Sequence, residues 1–278
     1  MKITITKKNR DILKTLIIIL VLWGGVSKIY SPIILPGPNK TLQDVCNVLF
    51  DSEFLMHVSI TLKRLCIGLL GAILLGSILG IIIGECKKIK HLFEPIFHII
   101  QATPPISWLA LGIIWFGLDG QATVFIVFIA SIPVMIINIV EGFESIDPKL
   151  LEMARIFRFS KKEVLFDITI PSLKSYFKSG ITISVGLGWK LVIMGEVLSS
   201  STGIGAQITN ARLNIETSKV LAWTIIVILL GVLSQKLIDF VFDFGNRNKE
   251  KEHDDFKNEQ NRKKFWQYIC VKRFFAKG

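Results

Sequence analysis

Long runs of roughly twenty residues with almost no charge recur along this chain, over 12–29, 60–84, 96–118, 122–141, 177–198 and 220–242. A bilayer core about 30 Å thick takes roughly 20 apolar residues per helix. Its interior also forces the backbone to satisfy its own hydrogen bonds. The expectation is an all-α, polytopic membrane protein with about six transmembrane helices.

The formal charge of +11 would raise nucleic-acid binding in a soluble protein. Its placement argues against that partner: Lys and Arg gather in residues 1–11, in the ECKKIKH segment after Gly84, in 147–171 and in the tail from Asn246. The segments between them, Ser31 to Ser59, the LDGQ turn and the stretch from Ser199, hold few basic residues. Basic loops stay on the cytoplasmic side, so both termini and 147–171 are expected there. Lys63 and Arg64 break the pattern near the outer end of the second run, where both side chains are long enough to snorkel to the interface. The first run follows Lys7, Lys8 and Arg10 without a small-residue cleavage site and reads as an uncleaved span. Cys46, Cys66, Cys86 and Cys270 are scattered, with neither CxxC pairs nor nearby His, so no disulfide framework or metal site is expected.

Inside the second run Gly68, Ala72, Gly76, Gly80 and Gly84 stand four positions apart. Such a ridge lets helix backbones approach closely in lipid, and packing within the same chain is its simplest use. Pro104 and Pro105 cannot both continue a helix, so the third run should kink or restart there, and Pro133 should disturb the fourth in a similar way. Irregular backbone at membrane depth needs protein or a water-filled path beside it. These prolines mark either the neighbourhood of a conduit or a packing kink.

The segment 147–171 is too charged for lipid at about 2.5–3.5 kcal/mol for each central Asp, Lys or Arg. It is patterned all the same. Asp147 followed by Pro148 is a helix start, and Leu150, Met153, Ala154 and Phe157 then fall at i, i+3, i+4 and i+7. Ser160 with Glu163 reads as a capping box that opens a second short helix, with Val164, Leu165 and Ile168 on its apolar face and Pro171 at its end. Two small amphipathic helices of this kind either lie on anionic lipid or fill a groove on a partner protein.

The run Glu152, Met153, Ala154, followed by Ile170 and Pro171, resembles the EAA loop of bacterial binding-protein-dependent ABC importer permeases. Met153 stands where that family usually has Ala, and Arg158 where it usually has Gly. TPPISWLALGIIWFGL and GWKLVIMGEVLSSSTGIGAQI are similar to the third-span and fifth-span regions of the nitrate, sulfonate and taurine branch, so the resemblance covers roughly 62–242. It implies a type I ABC importer transmembrane fold over 56–243, with a coupling loop at 143–176, preceded by residues 1–55 and followed by a charged tail, 244–278. It also implies that Glu152 and Ala154 belong to the element that docks on a cytoplasmic ABC ATPase, with Leu150, Met153 and Phe157 as packing anchors. Further implied partners are an extracytoplasmic solute-binding protein and a second permease chain, in a bacterial inner membrane.

No G-x-x-x-x-G-K-[ST], HExxH or GxSxG motif occurs in the sequence, so no catalytic residue and no cofactor is assigned to this chain. ATP and magnesium belong on the partner ATPase. Lys190 and Glu196 are the charges at depth, and ionisable groups there usually face a bundle interior or cavity. Their six-residue separation puts them on different helix faces, so an ion pair between them is not expected. Lys190 either helps an anion along the path or pairs with another span; Glu196 either lines the same path, with Gln101, Pro104 and Pro105, or merely lies near the outer interface. His98, Gln101 and Asn138 either line a path or hydrogen-bond between helices, and Ser199 to Ala206 is either a gate or docking surface or a plain connection. The basic, aromatic tail around Lys263, Lys264, Phe265 and Trp266 suits anionic lipid. Two other function classes fit the runs: a stand-alone channel or secondary transporter using Lys190, and a membrane sensor whose loop docks a signalling protein.

Overall fold

A computed structural model describes residues 7–254. Every regular element among them is helical: α1 (Lys7–Val26), α2 (Pro38–Leu49), α3 (Phe54–Glu85), α4 (Lys87–Ala102), α5 (Pro105–Phe116), α6 (Gln121–Glu144), α7 (Pro148–Ile156), α8 (Lys161–Glu163), a π-helical segment (Val164–Thr169), α9 (Ile170–Ser199), α10 (Ile204–Leu213) and α11 (Thr217–Asp254). Four stretches are long and apolar enough to cross a bilayer, Phe54–Glu85, Gln121–Glu144, Lys161–Ser199 and Thr217–Phe242, and α4 with α5 forms a bent fifth. The run at 12–29 becomes α1, whose described apolar part is the shorter stretch Ile17–Val26. The chain divides into two compact units after Val232, and the described part of the second is the continuation of α11. The basic, aromatic tail motif lies outside the described residues.

The core of the first unit is α3, α6 and α9. α3 and α6 lie close because one of them has no side chains at the contact. Gly68, Gly76, Gly80 and Gly84 back onto Val127, Met135, Ile139 and Phe143, always 59 positions further on. A Cβ at Gly76 would stand 2.7 Å from the Cβ of Met135, and one at Gly68 or Gly80 2.9 Å from that of Val127 or Ile139. The glycine ridge therefore serves a contact inside the chain, and interlocked van der Waals contact is what holds helices together in lipid. Its constant offset means that α3 and α6 run parallel. α9 runs the other way, with Gly195 on Thr123, Gly180 on Met135 and Gly142 on Leu173 and Tyr176.

Two parallel helices require the chain between them to return across the bundle, and α4 with α5 makes that return. It bends by 88°. Thr103 and Pro104 each precede a proline, whose Cδ drives the preceding residue out of the helical region. Their ψ angles are 126° and 132°. Across the break Trp108 Nε1 donates to the Ile100 carbonyl at 3.4 Å. Pro133 behaves differently from expectation: α6 runs through it unbroken. A lone proline removes one hydrogen bond, and here Ile132, Pro133 and their neighbours Met135 and Ile136 are buried, so flanking helices hold the backbone in place.

Candidate coupling loop and membrane path

The charged segment folds largely by its own caps. The Asp147 carboxylate accepts the Lys149 N–H at 2.9 Å, with Pro148 in the first turn of α7. The helix ends when Phe159 N–H donates to the Ala154 carbonyl at 2.9 Å and Arg158 N–H to the Arg155 carbonyl at 3.0 Å. This is the paired closure that needs a left-handed residue, and Arg158 adopts it with φ +53°. The tight turn survives the loss of glycine, at about 1–2 kcal/mol for the Cβ. The expected capping box follows: Ser160 N–H donates to Glu163 Oε2 at 2.7 Å, and Glu163 N–H to Ser160 Oγ at 3.3 Å.

The second helix does not end at Pro171. It continues through the π-helical segment into α9. A proline ring crowds the carbonyl four residues back, here that of Asp167, and the wider π-helical turn lies where that clash would fall. The capped start of the loop's second helix is thus the first turn of a 39-residue helical run, Lys161–Ser199.

The apolar set on α7 divides. Ala154 is buried with Ile146 and Ile168, flanked by Phe143, Leu151, Phe159 and Val164, and fixes the loop to the bundle. Met153 is half-buried, whereas Leu150, Glu152, Phe157, Arg158 and Pro171 are exposed. Ile156 is 78 % exposed, an outward apolar residue that the heptad pattern overlooked because it falls off the Leu150–Phe157 stripe. Beside this loop, a cavity of about 250 Å³ between α4 and α6 is lined by Lys90, Glu94, His98, Glu141 and Glu144 among others. His98 thus lies in a charged groove, where Lys90 pairs with Glu144 at 2.6 Å.

Of the residues assigned to a path, Gln101, Pro104 and Pro105 are exposed at the α4–α5 bend, and Lys190 is exposed on α9. Asn138 bonds back to its own helix, at 2.8 Å to the Val134 carbonyl. Glu196 is different, being wholly buried. Arg64 does not snorkel away from the bundle; its Nη1 meets Glu196 Oε1 at 2.7 Å. Thr61 Oγ1 donates to the same carboxylate, 2.8 Å from Oε2, and Gly205 N–H adds a bond of 2.9 Å. The hint in the sequence was one acid in 177–198 and one Arg near the outer end of 60–84, opposite charges at similar depth. Removing one partner of such a pair costs about 3–5 kcal/mol, because the other charge is left buried and unpaired.

The whole arrangement has counterparts among known proteins. The profile described as "Binding-protein-dependent transport system inner membrane component" matches residues 72–243. The taurine transport system permease protein of Escherichia coli is 24% identical over 240 residues, covering 84% of each chain. The nitrate import permease protein of Leptolyngbya laminosa is 29% identical over 191 residues, 69% of this chain and 68% of that one. In three dimensions the fold is similar to that of an inward-facing MetNI methionine ABC transporter, with a TM-score of 0.58 at 17% identity over 70% of this chain and 94% of the other. A membrane bundle broken at Pro104–Pro105, a self-capped charged loop and a profile match across most of both place the chain in one family: it is an ABC importer permease, an inner membrane component of a binding-protein-dependent transport system.

Proposed function

We propose that this permease carries a small organic or inorganic oxyanion, such as a sulfonate, taurine or nitrate, and is driven by a separate cytoplasmic ABC ATPase that grips α7. The observation that carries the coupling half is the loop itself. Its internal bonds and the buried Ala154 hold it rigid, while Glu152, Leu150, Ile156 and Phe157 face outward. A rigid helix with an exposed apolar edge fits a groove on a partner and passes movement to α9, with which it is nearly continuous in sequence.

The substrate half rests on Lys190. Glu196 is already neutralised by Arg64, so it is not available to Lys190, which is exposed within a span. A lysine at mid-helix costs about 2.5–3.5 kcal/mol against lipid, which favours a face turned to water or to a second copy of the chain. Relatives named for taurine and nitrate import fit a cationic path. In this reading two identical copies form the permease, a homodimer in the inner membrane with both termini and α7 cytoplasmic. A solute-binding protein delivers the anion from outside, lipid covers the remaining apolar surface, and ATP and magnesium bind only the ATPase.

The test is uptake by proteoliposomes holding the permease, its ATPase and its binding protein. The expected result is ATP-dependent uptake of taurine, an alkanesulfonate or nitrate, weakened by Lys190→Gln through a raised half-saturation concentration. Equal uptake without ATP would point to a channel or secondary transporter; solute-dependent partner binding without flux would point to a sensor.

A further inference from the structure

Four segments meet at the buried carboxylate of Glu196, far along α9 from the coupling loop. His57, Thr61 and Arg64 fall at i, i+4 and i+7, on one face of α3. All three hold something on α9, on α10 or in the turn between them. His57 Nε2 lies 2.7 Å from the Gln207 side-chain nitrogen. Thr61 Oγ1 donates to Glu196 and accepts the Ile204 N–H at 2.8 Å. Arg64 Nη1 reaches both Glu196 and the Thr202 carbonyl at 2.7 Å, and Nη2 reaches Thr202 Oγ1 at 2.9 Å. Gly120, before α6, backs onto the guanidinium with φ +83°, and Gly203 backs onto the carboxylate with φ +99°. A side chain at either would drive into the ion pair as well as strain the backbone.

We propose that Thr61, Arg64 and Glu196 are positioning residues that weld α10 and the turn before it to α3 and α9, so that this end of the permease moves as one block and α10 does not swing as a separate flap. The proposal rests on the permease reading. Lifting α10 would strip Glu196 of the Gly205 N–H and Arg64 of both Thr202 oxygens, leaving a buried pair short of partners. Moving the block leaves every one of these bonds intact. An apolar seam tolerates sliding, whereas bonds aimed at particular atoms define one register.

Cross-linking separates the two motions. In a chain whose four cysteines are replaced by Ser, His57→Cys and Gln207→Cys are bridged by a bis-methanethiosulfonate reagent in the complete importer. Uptake and solute-stimulated ATP hydrolysis should be unchanged by the bridge. Uptake that is present before bridging, lost after it and restored by reductant would overturn the proposal. Absence of ATP-driven uptake by the native chain in the same assay contradicts the permease reading instead. Hydrogen exchange on the purified chain then still decides the weld: Arg64→Gln should speed exchange of the α10 amides about tenfold or more relative to those of the α3–α6 seam, and unchanged α10 exchange would refute it.

Discussion

At one end of α9, Glu196 is wholly buried and bound by Thr61, Arg64 and the Gly205 N–H; at the other, Glu152 of α7 stands exposed between Leu150 and Phe157. Both regions are polar interruptions of an apolar chain, yet they use polarity in opposite directions. Around Glu196 the charges are consumed by one another and hold the bundle together. Around Glu152 the internal bonds are made by caps, Asp147 to Lys149 and Ser160 to Glu163, and Glu152, Arg155 and Arg158 stay exposed. A charged residue in a membrane protein is thus assigned a role by what already satisfies it.

Substitutions sharpen that contrast. Arg64→Ala should cost the most, about 3–5 kcal/mol, read as a fall in the thermal unfolding temperature of the purified chain in detergent. An unchanged temperature would mean that Glu196 is satisfied without its partner. Ala154→Asp should cost at least the roughly 1–3 kcal/mol of an unpaired neutral polar group, by placing a carboxyl against Ile146 and Ile168, seen as faster proteolysis of 143–176. Arg158→Gly and Ile215→Gly should each stabilise by about 1 kcal/mol, because the same left-handed closure ends α7 and α10, with φ +53° and +60°. Glu152→Lys should change stability least, within about 0.5 kcal/mol, while disrupting transport. If it unfolds the loop as Ala154→Asp does, the two regions do not differ as described.

What could be read from the sequence was mostly local. The Ser160–Glu163 box, the Asp147 cap and the break at Pro104–Pro105 each depend on residues within a turn of one another, and all three are present. The glycine ridge was legible as a close contact, because four-residue spacing marks a helix face, but its partner α6 was not. The Arg64–Glu196 pair is formed across 132 positions, and no periodicity within one run announces it. Pro133 and Pro171 misled for the same reason: a proline's local cost was plain, while the burial of Ile132 and the π-helical turn before Ile170 that absorb it are properties of the assembled bundle. On α7, the apolar stripe was correct as a pattern, but which of its members faced inward was decided by Ile146 and Ile168, outside the stripe.

The most direct test of the coupling account is protection of position 152 by the ATPase. Glu152→Cys, in a chain whose four native cysteines are replaced by Ser, is exposed to a membrane-impermeant maleimide in inside-out vesicles with and without the partner ATPase. The account predicts rapid labelling of the permease alone and strong protection in the complex. Labelling only from the opposite face of the membrane, or labelling that the ATPase leaves unchanged, would contradict it.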